Sequence, residues 1–246
     1  MLCFTLLTHI PHAYFLRIFY FLPIQPIIIG LFTTILANVA PFYLLRRRNT
    51  HNKPSPTHAL TKDPQIAHIT ALVATSMYAI PVVASMTSWL PTHLATYFYG
   101  LRTLEPAQTA VFWSMLLTLF PIGYAARTFI FHPLADTTSI TLVNKATAAY
   151  SSGRHVEVLE FDPETATLYQ TVHKNVFWWT YLQPRTQIWV NRTALLTGWI
   201  VANTAFKAFM EVEGAELPGA LGWSSVWGLG TLMASGVLGW IAGVQV

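Results

Sequence analysis

Residues 22–48 read LPIQPIIIGLFTTILANVAPFYLLRRR. The first 24 of these residues include no charged side chain, and the last three are arginines. A helix needs roughly 20 mostly apolar residues to cross the hydrocarbon core of a bilayer, and arginines that flank such a helix favour the cytosolic side. The stretch therefore predicts a transmembrane helix that ends at the cytosolic face.

The whole chain has the composition of a membrane protein. Of its 246 residues, 53% are hydrophobic, 14% are aromatic and only 10% are charged, and the mean hydropathy is +0.45. A soluble domain carries roughly 25% charged residues. The composition therefore excludes a soluble globule, and it equally excludes a disordered, coiled-coil or collagen-like chain.

Four further segments have the length and apolar character of spanning helices, at residues 66–90, 109–131, 193–210 and 220–244. Residues 2–21 are apolar too, but polar or helix-breaking residues interrupt them, namely His9, Pro11, His12 and Arg17. We expect an interfacial or re-entrant helix there, with a sixth span as the alternative. The predicted fold is an all-α, polytopic transmembrane bundle of about five spans that forms a single domain.

Basic residues orient this bundle. Ten of the 14 Lys and Arg residues lie in the loops after the first and third spans: Arg46, Arg47, Arg48, Lys53, Lys62, Lys145, Arg154, Lys174, Arg185 and Arg192. With five spans both loops lie on one side, so we assign them to the cytosol and the N-terminus to the lumen. A sixth span would move only the N-terminus. These loops account for the net charge of +4, so we expect no nucleic-acid partner. We expect the protein to be located in the endoplasmic reticulum or another endomembrane.

The loop at residues 133–192 is the only long polar region. Asp162, Pro163 and Glu164 have the pattern of a helix start, and an apolar stripe follows them. Tryptophans nearby are typical of a headgroup interface. We predict an amphipathic helix on the cytosolic leaflet over residues 162–182, with a covering lid without function as the alternative.

Ionisable residues also gather at the opposite, lumenal rim. Two short loops supply them: Lys207, Glu211, Glu213 and Glu216 at the end of the fourth span, and His93, Arg102 and Glu105 before the third. Carboxylates at an apolar boundary tend to hold a proton and can act as general acids. We therefore predict Glu105, Glu211 and Glu213 as catalytic acids. The alternative is that these acids are solvated and only support the topology.

The basic residues and the histidine at this rim are predicted to bind the substrate or to adjust the pKa values of the carboxylates. Lys207 and Glu211 are four residues apart on one helix face and can pair. Arg102 and Lys207 would adjust the acidity of the carboxylates, and His93 would relay protons. The chain has one cysteine, Cys3, and no metal or nucleotide motif, so we expect neither a metal nor a cofactor.

Polar and small residues inside the spans have structural interpretations. We expect Arg127 to extend to lipid phosphates and Asn203 to form an interhelical hydrogen bond. Ser235, Gly239 and Gly243 recur every four residues in the last span, a pattern that allows close helix packing. Packing within the bundle is favoured over dimerisation.

The chain resembles small polytopic membrane proteins of fungal biosynthetic clusters, which include membrane-bound terpene cyclases and epoxide-opening enzymes. The similarity lies in its size, its Trp- and Tyr-rich spans, the acidic turn EVEGAE at residues 211–216, and the lack of a metal motif. The resemblance implies acid-catalysed cyclisation or epoxide opening of a lipophilic secondary-metabolite precursor. We expect a cyclase, isomerase or hydrolase, with a non-catalytic scaffold, assembly factor or complex subunit as the alternative.

Overall fold

A computed structural model describes residues 2–45, 64–105, 112–131 and 184–242. Their elements are all helical, in the order α1 Leu2–Phe19, α2 Ile24–Leu45, α3 Pro64–Thr87, α4 Leu90–Tyr97, α5 Phe112–Thr118, α6 Phe120–Ala126 with a π-helical turn Arg127–Phe131, α7 Pro184–Glu211 and α8 Leu217–Ile241. The predicted all-α class is confirmed for this part of the chain. The predicted amphipathic helix at 162–182 and most of the polar loop lie outside the described residues.

Three helices are long and apolar enough to cross a membrane, over Leu2–Phe19, Ile24–Pro41 and Pro64–Thr87. A fourth crossing results if α5 and α6 with its π-helical turn form one span, bent by 58°. The prediction of about five spans is therefore not confirmed. The sequence of α7 includes two arginines, a lysine and a glutamate, and α8 is rich in glycine, serine and tryptophan, which lowers its hydropathy.

α1 is packed into the bundle. Phe15 and Phe19 are fully buried, and their rings lie 5.1 and 5.8 Å from the ring of Trp223 in α8. On α7, Asn203 Nδ2 donates to the carbonyl of Thr8 at 2.7 Å, which confirms the predicted interhelical bond. An 18-residue helix is ~27 Å long. α1 is therefore both a candidate span and a packed element of the bundle.

α3 and α6 approach each other closely at Gly123. A Cβ added at Gly123 would collide with Thr75 Oγ1 and would stand 2.6 Å from both the carbonyl oxygen of Ala71 and the amide nitrogen of Thr75. Two of these atoms belong to the backbone, which cannot turn aside as a side chain can. Glycine at this position therefore sets the separation of the two helices.

Glycines of α8 also face neighbouring helices. A Cβ at Gly230 would stand 2.8 Å from the Tyr78 ring in α3, and one at Gly239 would stand 2.6 Å from Trp189 Nε1 in α7. Trp189 Nε1 in turn donates to the carbonyl of Ser235 at 3.0 Å. The prediction that small residues of this helix serve packing within the bundle is confirmed at these positions.

Arg127 begins the π-helical turn after α6 and is only 2% exposed. Its Nε donates to Thr70 Oγ1 of α3 at 2.7 Å. The expectation that this guanidinium extends to lipid phosphates is therefore wrong. A polar partner on the neighbouring helix holds it inside the protein, as buried charges require.

α2 lies at the periphery. Among the described helices it packs chiefly against α1, and no residue of Ile24–Pro41 is buried. Its large apolar side chains, such as Ile28, Ile29 and Phe32, are more than half exposed. This helix covers one face of α1 and leaves space beside it.

Candidate functional site

The lumenal rim predicted from sequence is held together by backbone hydrogen bonds. The amide of Arg102 donates to the carbonyl of Phe19 at 3.3 Å, and the amide of Tyr99 donates to the carbonyl of Gly214 at 3.1 Å. Gly214 has φ +77°, a left-handed conformation that favours glycine, and it turns the chain between α7 and α8. The two loops expected to share a rim therefore do meet, and the end of α1 joins them.

Glu211, the last residue of α7, is the centre of the ionisable cluster. Its Oε2 lies 2.7 Å from Nε2 of His12 in α1, and its Oε1 lies 3.6 Å from Nζ of Lys207. The predicted pairing of Lys207 with Glu211 is thus confirmed. The carboxylate is about half exposed, whereas the His12 side chain is 5% exposed. A buried imidazole is therefore held by an accessible carboxylate.

A cavity of about 240 Å³ opens beside this cluster, between α1, α2 and the end of α7. Its polar wall is formed by His9, His12, Lys207 and Glu211. Its apolar wall comes mainly from the start of α2 and the turn before it: Leu22, Pro26, Ile27, Gly30 and Leu31. The polar groups thus face an apolar surface across a space open to a guest molecule.

A second cavity of about 590 Å³ adjoins the first and shares Leu16, Leu22 and Glu211 with it. Three of the remaining lining residues are Tyr20, Arg102 and Glu213. Burial raises the pKa of the Tyr20 phenol, so this group stays protonated at neutral pH. Its hydroxyl has no hydrogen-bond partner within the described ranges and is available as a donor.

The remaining predicted residues lie apart from the cluster. Glu105 is exposed, its amide donates to Thr103 Oγ1 at 3.1 Å, and it lines neither cavity. His93 Nε2 lies 3.0 Å from the carbonyl of Pro218, and its ring packs 4.8 Å from that of Tyr97. His93 therefore joins α4 to α8 and does not face Glu211.

Two histidines of α1 were not predicted as site residues. His9 and His12 are three residues apart, and no acidic residue lies near them in the sequence. Their acidic neighbour is Glu211, 199 residues away from His12. The only signal was the presence of two imidazoles one turn apart on an otherwise apolar helix, where polar groups are costly and are often functional.

The geometry suits proton transfer. A His12 ring that donates Nε2–H to Glu211 retains Nδ1 as a base when neutral and as an acid when protonated. This Nδ1 is buried and has no hydrogen-bond partner among the described residues. The carboxylate orients the ring and stabilises its protonated form, as in other carboxylate–histidine pairs. Within the same residues, no three His, Cys, Asp or Glu side chains are grouped so as to hold a metal ion.

Compared with known protein families, curated proteins and solved structures, the chain has no significant match. Its function must therefore be inferred from its own residues.

Proposed function

We propose that this chain is a membrane-embedded enzyme that uses proton transfer, without a metal, to open an epoxide or cyclise a lipophilic precursor, as in secondary-metabolite biosynthesis. The observation that carries the proposal is the 2.7 Å contact between His12 and Glu211 at the wall of a largely apolar cavity. Acid–base groups at an apolar pocket are the default signature of an active site.

In the proposed reaction, His12 carries the proton and Glu211 is its positioning partner. Protonated Nδ1 gives its proton to the epoxide oxygen while the C–O bond breaks, which leaves a hydroxyl and a cationic carbon. An alkene of the same molecule then supplies the electron pair for a new C–C bond, and loss of a proton to Nδ1 restores the acid. Attack by water in place of the alkene yields a diol and returns one proton to the same nitrogen.

The other predicted acids have lesser roles in this proposal. Glu213 and Arg102 line the second cavity, where they would contact a polar end of the substrate. Glu105 stays a predicted acid, but its position outside both cavities makes it the weakest of the three.

The test is turnover in microsomes of a panel of lipophilic epoxides, with products separated by mass. A cyclised product has the mass of its substrate, and a diol is heavier by one water. His12→Gln and Glu211→Gln should each reduce turnover by at least about a hundredfold, the usual share of general acid–base catalysis. Glu216→Gln is the matched control, because this exposed glutamate lines neither cavity, and it should leave turnover near wild type. Unchanged turnover in both site variants, at equal protein levels, would refute the proposal.

A six-crossing topology suits this enzyme. α7 and α8 pack against each other, and α8 packs against the apolar α3, which favours a transmembrane position for all three. With α1 also crossing, the N-terminus lies in the cytosol and the site at the lumenal rim. Glycosylation acceptors inserted at the N-terminus and in the 212–216 turn should then be modified only in the turn. Modification at the N-terminus would mean that α1 does not cross the membrane, as in the five-span topology.

A non-catalytic role as a scaffold or complex subunit is the second candidate. The absence of any buried residue in Ile24–Pro41 favours it, because this face could bind a helix of another protein. Purification in mild detergent should then recover a partner in fixed ratio, and substitutions at Phe32 should release it. A monodisperse single chain with saturable ligand binding would exclude this role.

A further inference from the structure

We propose that the cavity between α1 and α2 takes an uncharged lipophilic molecule with one hydrogen-bonding oxygen, and that Gly30 sets the size of molecule that fits. The inference rests on the proposed function, since it names the substrate class of the same site.

While both histidines are neutral, before His12 takes up the proton used in the proposed reaction, the polar wall is balanced in charge. Lys207 and Glu211 carry opposite charges 3.6 Å apart, and the second carboxylate oxygen of Glu211 is already bonded to His12. An anionic guest would face this carboxylate, and a cationic guest would face the ammonium of Lys207. Each would lose hydration without gaining an unpaired counter-charge. A neutral guest avoids both costs.

Two imidazole nitrogens at this wall, Nδ1 of His9 and Nδ1 of His12, have no hydrogen-bond partner among the described residues. His9 lines the cavity one helical turn before His12. A buried imidazole nitrogen without a partner is costly, and after a rotation of the ring toward the cavity a hydroxyl, carbonyl or epoxide oxygen on the guest would relieve that cost. The polar wall therefore favours a guest molecule with a single hydrogen-bonding oxygen.

The opposite wall belongs to the peripheral helix and is apolar apart from Thr34, whose hydroxyl donates to the carbonyl of Gly30 at 2.8 Å. Ile27 and Leu31 of α2 face the cavity on either side of Gly30. A Cβ added at Gly30 would have no atom within 4 Å, apart from those of its chain neighbours and of the surrounding backbone of its own helix. A larger side chain at this position would thus extend into the cavity without touching another part of the protein.

The experiment measures binding without turnover. The probe is a ten-carbon primary alcohol that bears a photoreactive diazirine, used alongside the matching carboxylate and amine, on full-length protein in detergent. Labelled peptides are identified by mass spectrometry. The alcohol should label α1 and α2 saturably, and non-photoreactive decanol should compete with it. Stronger saturable labelling of the same peptides by the carboxylate or the amine would overturn the assignment of a neutral guest.

The decisive variant is Gly30→Leu, with Gly198→Leu as its matched control. Gly198 is an exposed helical glycine of α7 that also has open space at its Cβ position, and it lines neither cavity. Gly30→Leu should weaken saturable labelling by at least about tenfold, the usual effect of a small steric mismatch in an apolar pocket, while Gly198→Leu binds as wild type. Equal labelling of the Gly30→Leu variant and the wild type would overturn the role of Gly30.

A graded variant separates misfolding from occlusion. Gly30→Ala should give an intermediate loss, and a size-exclusion profile identical to wild type should accompany both Gly30 variants. Loss of labelling together with aggregation of both variants would count against the proposal, because no contact at Gly30 explains misfolding. An inactive protein that binds the alcohol in a Gly30-sensitive way would refute the enzyme but retain this site. If the enzyme is active but the Gly30 variants bind the alcohol as the wild type does, the proposed binding site is refuted and the proposed function is not.

Discussion

Where α3 meets α6, a glycine marks the contact of two helices, whereas where α2 covers α1, a glycine faces open space. At Gly123 a single added carbon would collide with the neighbouring helix, and at Gly30 the same carbon would meet nothing. The first region is held by packing and by the buried pair of Arg127 with Thr70. The second retains a cavity next to its ionisable cluster. Small residues thus serve packing in one region and leave room for a guest in the other.

The largest effect should follow from Gly123→Ala. The new methyl group would force backbone atoms of Ala71 and Thr75 to move, and such overpacking costs about 2–3 kcal/mol. Reversible unfolding in mixed detergent micelles would measure the loss. Gly30→Ala is the paired control and should change stability by less than about 0.5 kcal/mol. Similar losses in both variants would abolish the contrast between the two regions.

A smaller effect is expected from the contact between His12 and Glu211, which lies beside the cavity of the second region. A double-mutant cycle with His12→Phe and Glu211→Gln should give a coupling free energy of about 1–1.5 kcal/mol, because the imidazole is buried while the carboxylate is half exposed. The same unfolding assay applies. Additive effects of the two substitutions would mean that the histidine and the glutamate do not hold α1 to α7.

The smallest effect should come from the partner on the same helix. A cycle between Lys207→Gln and Glu211→Gln should show a coupling of about 0.3–0.5 kcal/mol, as for other ion pairs four residues apart on an accessible helix face. Raising the salt concentration should reduce this coupling and leave most of the His12 coupling. A Lys207 coupling larger than that of His12 would reverse the ranking of the two contacts.

Sequence reasoning succeeded where the interaction is local. The spacing of Lys207 and Glu211 predicted their pairing, since a helix places residues four apart on one face. The shared rim was also foreseen, because short loops leave neighbouring helices at the same end. The glycines of α8 were correctly assigned to packing for the same reason, as their periodicity belongs to one helix.

It failed where the partner comes from elsewhere in the chain. His12 and Pro11 were taken as interruptions of an apolar segment, yet His12 is paired by a residue of α7. Arg127 was expected at the lipid surface because no local feature indicates Thr70 as its partner. No periodicity in one segment reveals which polar group of another will meet it, so burial and pairing of these residues required the fold.

The separation of 199 positions between His12 and Glu211 also determines when the site forms. Ribosomes deliver a chain from its N-terminus, and membrane helices insert before they associate. α1 therefore enters the bilayer with its histidines unpaired, and their carboxylate arrives only with the end of α7. A nascent or truncated protein that stops short of this helix holds the imidazoles but not their acid. The chemistry proposed for this cavity is thereby withheld until α7 has been synthesised.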